Sequence, residues 1–569
     1  MPVHASLRVT NLLPSEPKTM PVAKLRPKTY RELLETVSVS VPEHYNFAFD
    51  FLDAEAAADP TRPAMIHIDN DGNRRDFDLA FFSRESARMA NAFKDAGLKK
   101  GDRVMVILYR RLEWWVTMLA LHKLGAVPVP SPNLLTPHDI DFRVNYAGIK
   151  AIIAEDSVVS RVEDARPTCP TLSVLVHVGE APMPAGWLDY ETIRAAASDV
   201  FPRTADAPGG KDTLLIFFSS GTTGMPKMVE HTHGYALGHM PTGVYWHNLE
   251  PGDVHLTVAD TGWGKAVWGK FYGQWMAGAT VFVWDFRGKF HPAELLEIMS
   301  KHKVTTFCAP PTVYRFLIRE DLKKYDLSAL RYCTTAGELL NDGVFRAWKE
   351  ITGLPIHEGY GQTETCLQIA TFPCMEPKPG SIGRPAPGWN VTLLDEEGHV
   401  CPPGVEGEIC IGLEDDKNVG LFAGYLLEPA KTASVMIDGY YHTGDKAWMD
   451  EDGYYWFLGR TDDLIKSSGY RIGPFEVESA LITHPAVVEA AVTGVPDPVR
   501  GQAVKATVVL APEFDPSDEL AKELQNHVKK ETAPYKYPRV IDFVDELPKT
   551  ISGKIKRAEI RARDANREI

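Results

Sequence analysis

The chain alternates short apolar runs with longer segments of helical period. "RVMVILY" (103–109), "AIIAE" (151–155), "TLLIFFSS" (213–220), "ATVFVW" (279–284) and "VTTFCAP" (304–310) are strand-like, and helical patterns such as 114–124 and 292–302 lie between them. Alternation of this kind predicts an α/β architecture with largely parallel, buried strands. From about residue 388 the texture changes. "NVTLLDEEGHVCPPGVEGEICIG" reads as short strands joined by acidic-Gly turns, which predicts a β-rich subdomain closing the large region. After "GRTDD" (459–463) a smaller unit follows, with strands "VVEAAVTGV" and "VKATVVLAP" and a helix near 517–530. The expected division is an N-terminal extension at 1–45, a large domain at 46–460 and a small domain at 461–569, with a hinge at Asp462.

Composition narrows the class. With 569 residues the chain is too long for one core. The net charge of -15 argues against a nucleic-acid binder, so local basic clusters become informative. The seven cysteines form no CxxC pair, which fits reduced thiols better than a disulfide framework or a zinc site. No apolar run approaches the roughly 18 residues of a membrane span. Residues 1–30 carry Arg8, Lys18, Lys24, Arg26 and Lys28 against one acid, Glu16. Their prolines suit an extended leader, so the expected compartment is the cytoplasm, with the mitochondrial matrix as the alternative.

The strongest local signal is "FFSSGTTGMPKM", Phe217 to Met228. Ser219, Ser220, Thr222 and Thr223 surround Gly221 and Gly224, and Lys227 closes the loop. Glycines let backbone N–H groups converge on one point, hydroxyls add donors, and the lysine adds charge; such nests bind phosphate oxygens. The spacing is not that of the P-loop, because the glycines lie three apart and Pro226 precedes the lysine.

"SSGTTGMPK" resembles the phosphate loop of the adenylate-forming superfamily, which comprises acyl-CoA synthetases, adenylation domains of peptide synthetases and luciferases. "EGYGQTET" (358–365), "YHTGD" (441–445), "GRTDDLIKSSGYRIGPFEVE" (459–478) and "LPKTISGK" (547–554) follow in the family's order. "APPTVYRFL", "KPGSIGRP", "HPAVVEAAVTGVPDPVRGQ" and "TAPYKYPR" look most like medium-chain acyl-CoA synthetases. The resemblance implies two α/β subdomains and a β-rich subdomain in the large domain, and a small mobile α+β domain that acts as a lid. It implies a reaction in two halves. A carboxylate attacks the α-phosphate of ATP, giving acyl-adenylate and pyrophosphate; the thiol of coenzyme A then displaces AMP. The co-substrates are ATP, coenzyme A and a small carboxylic acid, with Mg2+ and no redox cofactor.

Carried onto this chain, Lys554, Thr363 and Arg471 are the expected catalytic groups, and Glu364 is the Mg2+ ligand. Ser219, Ser220, Gly221, Thr222, Thr223, Gly224 and Lys227 would hold the phosphates. Gly337, Glu338, Glu358, Gly359, Tyr360, Gly361 and Gln362 would face the nucleotide, with Tyr360 stacked on adenine. Asp445 and Arg460 would take the ribose hydroxyls, since one carboxylate accepts two O–H bonds. Trp263, Lys265 and Trp268, from "TGWGKAVWGK", would line the acyl pocket, with Gly361 leaving room for a longer or branched chain. Lys265 is unusual at its place: it could pair with a polar end, close the pocket floor or snorkel to solvent. Gly469 and Tyr470 would line the pantetheine channel, with Lys529 and Lys530 on the coenzyme's phosphates. The last two read equally well as cations at a helix C-terminus.

Lys554 sits behind Ser552 and Gly553, which allow a tight bend. It is also a candidate for a lysine acetyltransferase, since acetylation removes its charge. Lys556 and Arg557 read as solvated charges. The resemblance admits a homodimer. Two other readings stand beside the ligase: a stand-alone acyl-AMP ligase loading a separate carrier protein, and a non-catalytic nucleotide or acyl sensor. Only 569 − 554 = 15 residues follow Lys554, so a carrier is expected on another chain. Lys227, Glu364, Asp445, Arg471 and Lys554 together argue against the sensor.

Overall fold

The computed structural model describes residues 26–219, 226–288, 290–413, 418–461, 463–468, 470–549 and 555–564, with Arg471 described by its backbone alone. Among these, the large region holds four sheets. A five-stranded parallel sheet runs in the order Val127–Pro130, Arg103–Ile107, Ala151–Glu155, Val174–Val178, Leu188–Asp189. A nine-stranded sheet has a parallel centre built from Ile356–Tyr360, Tyr332–Ala336, Thr306–Cys308, Val254–Thr257, Thr280–Trp284 and Pro63–Ile68. The apolar runs of both sheets are buried on each face, as continuous hydrophobic strands require.

Between these sheets packs the helix Leu112–Leu124. Apolar residues lie on every side of it and it is buried along almost its whole length, with His122 against Tyr272 OH and Lys123 paired to Asp53. Trp114 and Trp115 are fully buried in it, and burial of side chains of this size contributes about 1.5–3 kcal/mol each. Gly125, in the left-handed conformation, ends the helix.

One strand departs from the parallel expectation. Thr213–Ser219 forms an antiparallel hairpin with Lys227–Thr232, and Gly424–Tyr425 adds a third strand to it. Its run of apolar residues resembles a parallel core strand because both faces are covered. Ser219 lies opposite Lys227 at the end of this pair.

The β-rich subdomain is antiparallel, with Val391–Leu394, Gly407–Gly412 and Tyr440–Met449 in order and Tyr455–Arg460 on its far side. The small region has its own sheet, in which Val487–Asp497 and Gly501–Leu510 pair along ten positions and the helix Asp518–Glu531 packs nearby. Tyr455–Arg460 belongs to one sheet and Ile465–Ser467 to the other, with Asp462 between them and outside the described residues.

Two findings revise the sequence reading. The helix Tyr30–Thr36, inside the stretch read as an extension, docks on the large core: Leu33 is buried and the Tyr30 hydroxyl donates to Pro385 O at 2.7 Å. Arg557 is not a solvated charge. Its guanidinium donates to both carboxylate oxygens of Glu478, at 2.7 and 2.8 Å. Glu478 is buried and also accepts from Val492 N, so its charge needs a cation beside it. The same C-terminal helix, Arg557–Asp564, reaches Asp463 through Arg561 at 2.5 Å. The helix that follows Lys554 is thereby tied to the residue after the expected hinge. Lys556 does stay exposed, 3.7 Å from Glu559.

Candidate active site

Four elements bring the motifs together: the hairpin ending at Ser219 and Lys227, the strand Tyr332–Ala336, the strand Ile356–Tyr360 with the turn after it, and the strand Tyr440–Met449. The last is irregular where it matters. Cys410 pairs with His442 and Glu408 with Lys446, so Thr443–Asp445 bulge opposite the single residue Ile409. Bulges re-aim side chains beside functional sites. Gly444 supplies the positive φ of +73° that the bulge needs. Thr443 Oγ1 donates to Ile409 O at 2.7 Å, and Gly444 N donates to Glu408 Oε1 at 2.8 Å.

The bulge turns Asp445 toward "EGYGQTET". Its Oδ2 accepts from Tyr360 OH and from Gln362 Nε2, each at 2.6 Å. Gln362 also donates to Thr443 O and accepts from Tyr441 OH, so its amide braces Asp445 within the protein. Tyr360 is anchored through its hydroxyl, and burial, with Asp445 next, keeps that phenol well above its ordinary range. Arg460 lies opposite Asp445 in the neighbouring strand.

Glu364 is almost buried and its Oε1 accepts from Tyr425 OH at 3.0 Å. Lys227 Nζ lies 4.9 Å above the Tyr425 ring. Burial lowers the pKa of Lys227; Glu364 opposes that shift while Lys431 and Arg460 add to it. Tyr425 therefore links the phosphate-loop lysine to the expected metal ligand. His231 Nε2 meets Thr363 O at 2.7 Å and fixes that backbone. The sequence reading passed over Tyr425 and His231. His231 follows the phosphate loop by four residues and carried a signal; Tyr425 had none until its strand paired with 227–232.

Gly337, at φ +99°, turns the chain after Tyr332–Ala336. Glu338 is exposed and accepts from Thr312 Oγ1 at 2.9 Å. Glu358 does not face the nucleotide side: it is buried and its Oε1 accepts from Leu340 N at 2.6 Å, so it holds the 337–340 loop from behind. Gly359 is likewise interior, where a Cβ would come 2.5 Å from Trp246. Burial pushes the Glu358 carboxyl up to about 8, against the pull of Leu340 N–H and with help from Asp342. The folded value lies above the unfolded one, so this group's stabilisation is complete below the ordinary glutamate range and is lost as pH rises through about 8. Glu358→Gln keeps an acceptor for Leu340 N and removes the titration. Its melting temperature should fall less than the wild type's between about pH 6 and about pH 9; parallel curves would contradict the assignment.

The acyl side differs from the simple expectation. A Cβ on Gly361 would come 2.3 Å from Trp268 Cη2 and 2.6 Å from Cys366 O. The space above Gly361 is thus already filled by the Trp268 indole, because the helix Gly264–Lys270 lays that ring across it. Trp263 precedes the same helix and is half-buried. Lys265 reaches the other way, donating to Ala336 O at 2.6 Å beside the Gly337 turn.

On the small domain Tyr470 is exposed and stacks on Tyr535, centroids 4.1 Å apart. Lys529 Nζ lies 4.1 Å over the Tyr537 ring, and Lys530 is exposed in the last turn of its helix. Asn341 joins the two regions by donating to Ser479 O at 3.0 Å. Ser220, Gly221, Thr222, Thr223, Gly224, Asp462, Gly469 and Lys554, and the side chain of Arg471, lie outside the described residues.

The fold, a large α/β region with mixed sheets followed by a small C-terminal region, is that of the adenylate-forming ligases. The chain belongs to the AMP-binding enzyme family: that family matches residues 52–426, and the AMP-binding enzyme C-terminal domain matches 476–554. Acyl-coenzyme A synthetase ACSM3, mitochondrial, of Rattus norvegicus is 42% identical over 94% of this chain and 93% of its own. Acyl-coenzyme A synthetase ACSM5, mitochondrial, of Homo sapiens is 42% identical over 92% and 91%. The crystal structure of the anthranilate CoA ligase AuaEII in complex with anthranoyl-AMP superposes with a TM-score of 0.84 at 31% identity, covering 92% of this chain and 98% of that one.

Proposed function

We propose that this protein joins a medium-chain carboxylic acid to coenzyme A, at the expense of ATP, through an acyl-adenylate. It is an AMP-forming acyl-CoA synthetase, with ATP and coenzyme A as co-substrates. The observation that supports the reading is that Lys227 and Glu364 meet on either side of Tyr425, while Asp445 is tied to Tyr360 and Gln362 of the motif that carries Glu364. Attack of a carboxylate on a phosphate brings two anions together, so fixed cations and donors must stabilise the developing charge. In this reading Lys227 and the loop before it take the polyphosphate. Thr363 and Arg471 reach the α-phosphate, and Asp445 and Arg460 orient the ribose. Gly337 lets backbone approach the base.

Glu364 fits Mg2+: a hard cation that keeps most of its waters needs one or two carboxylates plus phosphate oxygens. Mg2+ would supply charge neutralisation on the polyphosphate. Tyr425 would keep the Glu364 carboxylate oriented toward it. Tyr470, with Gly469, Lys529 and Lys530, would meet coenzyme A in the second half-reaction, after the small domain turns about Asp462.

We place the protein in the cytoplasm, with the mitochondrial matrix as the alternative; both relatives are named mitochondrial. Among the described residues no helix is long and apolar enough to cross a membrane. A homodimer and acetylation of Lys554 are further proposals, tested by light scattering and by mass spectrometry of the isolated protein.

The test is an acid panel from acetate to decanoate, with 2-methyl and benzoate analogues, read by AMP release with and without coenzyme A. Medium-chain acids should give acyl-CoA, AMP and pyrophosphate. Stalling at acyl-adenylate with every acid would point instead to a ligase for a carrier protein. On the same panel Trp268→Ala should shift preference toward longer acids by about fourfold per extra methylene, the value of ~0.8 kcal/mol of burial. An unchanged length profile would remove Trp268 from the pocket.

A further inference from the structure

Glu408, Cys410 and His442 stand together at the base of the bulge that carries Asp445, and nothing in the ligase reaction uses them. Their ligand atoms all lie within 4.8 Å of one another, and among the described residues this is the one group of three with such spacing. Glu408 and Cys410 sit two apart on Gly407–Gly412, and His442 lies directly across the ladder from Cys410. Cys410 Sγ is 3.5 Å from His442 Nδ1, and His442 Nδ1 is 3.0 Å from Glu408 Oε2.

We propose that these three side chains form a site for a borderline-soft divalent transition metal, Zn2+ above all. Zinc takes thiolate, imidazole and carboxylate together, at about 2.3, 2.0 and 2.0 Å. A tetrahedral ion with those bonds separates sulfur from nitrogen by about 3.5 Å and nitrogen from oxygen by about 3.3 Å. The observed sulfur–nitrogen separation of 3.5 Å matches, the nitrogen–oxygen separation of 3.0 Å needs a small outward movement of Glu408, and sulfur and carboxylate lie within 4.8 Å. The sulfur is fully buried, whereas the side chains of His442 and Glu408 are each 25% exposed, so solvent approaches from their side. That side leaves the fourth position for water.

Binding releases to solvent the proton carried by Cys410 Sγ, while the neutral imidazole keeps its single proton on Nε2 and offers Nδ1 to the ion. Oε1 of Glu408 can keep its hydrogen bond from Gly444 N while Oε2 binds the ion, so the metal would lie one residue from the bulge that presents Asp445. The site is separate from Glu364 and from Mg2+: a hard cation has no preference for sulfur.

The test uses the full chain after removal of metals by a chelator. Co2+ should bind with close to one equivalent and give the near-ultraviolet thiolate-to-cobalt charge-transfer band, and Zn2+ should displace it. Cys410→Ser should lose the band and weaken Zn2+ binding, measured calorimetrically, at least tenfold. Cys374→Ser, which changes a partly exposed thiol outside the cluster, should leave both intact. The wild-type spectrum decides the matter even if Cys410→Ser folds poorly: binding of Co2+ without a thiolate band overturns the proposal. Unaltered Zn2+ affinity in a folded Cys410→Ser protein overturns it too.

Discussion

Lys554→Ala is expected to reduce acyl-adenylate formation about a thousandfold while largely sparing thioester formation from supplied acyl-adenylate. A cation ~4 Å from an anion at an effective dielectric of ~20 interacts by roughly 4 kcal/mol. Removed from the transition state alone, that amount is about three decades in rate. The asymmetry between the halves follows from the chemistry. Only the first joins a carboxylate to a polyphosphate; in the second the charge has left as pyrophosphate. The measurement is pyrophosphate release for the first half and acyl-CoA formation from synthetic acyl-adenylate for the second. Equal loss in both would make the residue structural. The frame for this lysine is in place on either side of it: Lys549 bridges Ile555, and the helix beginning at Arg557 is locked to Glu478 and Asp463.

Asp445→Ala is expected to raise KM for ATP by about two to three decades with little change in KM for the acid. The substitution removes the proposed ribose acceptor. It also strands the Tyr360 hydroxyl and takes one of two acceptors from the Gln362 amide, which keeps Thr443 O. Each unpaired buried donor costs about 1–3 kcal/mol, and each 1.4 kcal/mol is tenfold in an equilibrium constant. Asp445→Asn should be intermediate, because its amide offers one oxygen and turns a donor toward existing donors. A fall in melting temperature with unchanged KM for ATP would leave Asp445 as a structural brace only.

Much of the architecture was legible as pattern. The strands at 103–107, 151–155 and 280–284, the helix at 112–124 and the antiparallel pair in 391–412 lie where the apolar periods put them. Periodicity reports how much of a strand is covered, not what it pairs with. The strand 213–219 therefore looked like its parallel neighbours although it is half of a hairpin. Arg557 shows the same limit for charge. Next to Lys554 and Lys556 it reads as part of a basic tail, but a buried carboxylate 79 positions away decides its role.

The site divides along the same line. By itself the sequence determined the residue types: the glycine-hydroxyl loop, the glutamate at 364, the aspartate at 445, and the order in which they follow. Those depend on local chemistry, since only small residues permit the turns and only certain side chains carry the charge. Tertiary structure decided which atoms each side chain meets. Glu358, one of two glutamates in "EGYGQTET", turned inward to hold Leu340, while Glu364 faces Tyr425. Trp268 filled the space that Gly361 leaves open. A bulge against Ile409 aimed Asp445 and drew Glu408, Cys410 and His442 together beneath it. Close packing of distant segments settles such choices, and no local pattern encodes the separation of atoms that meet only after the sheets have formed.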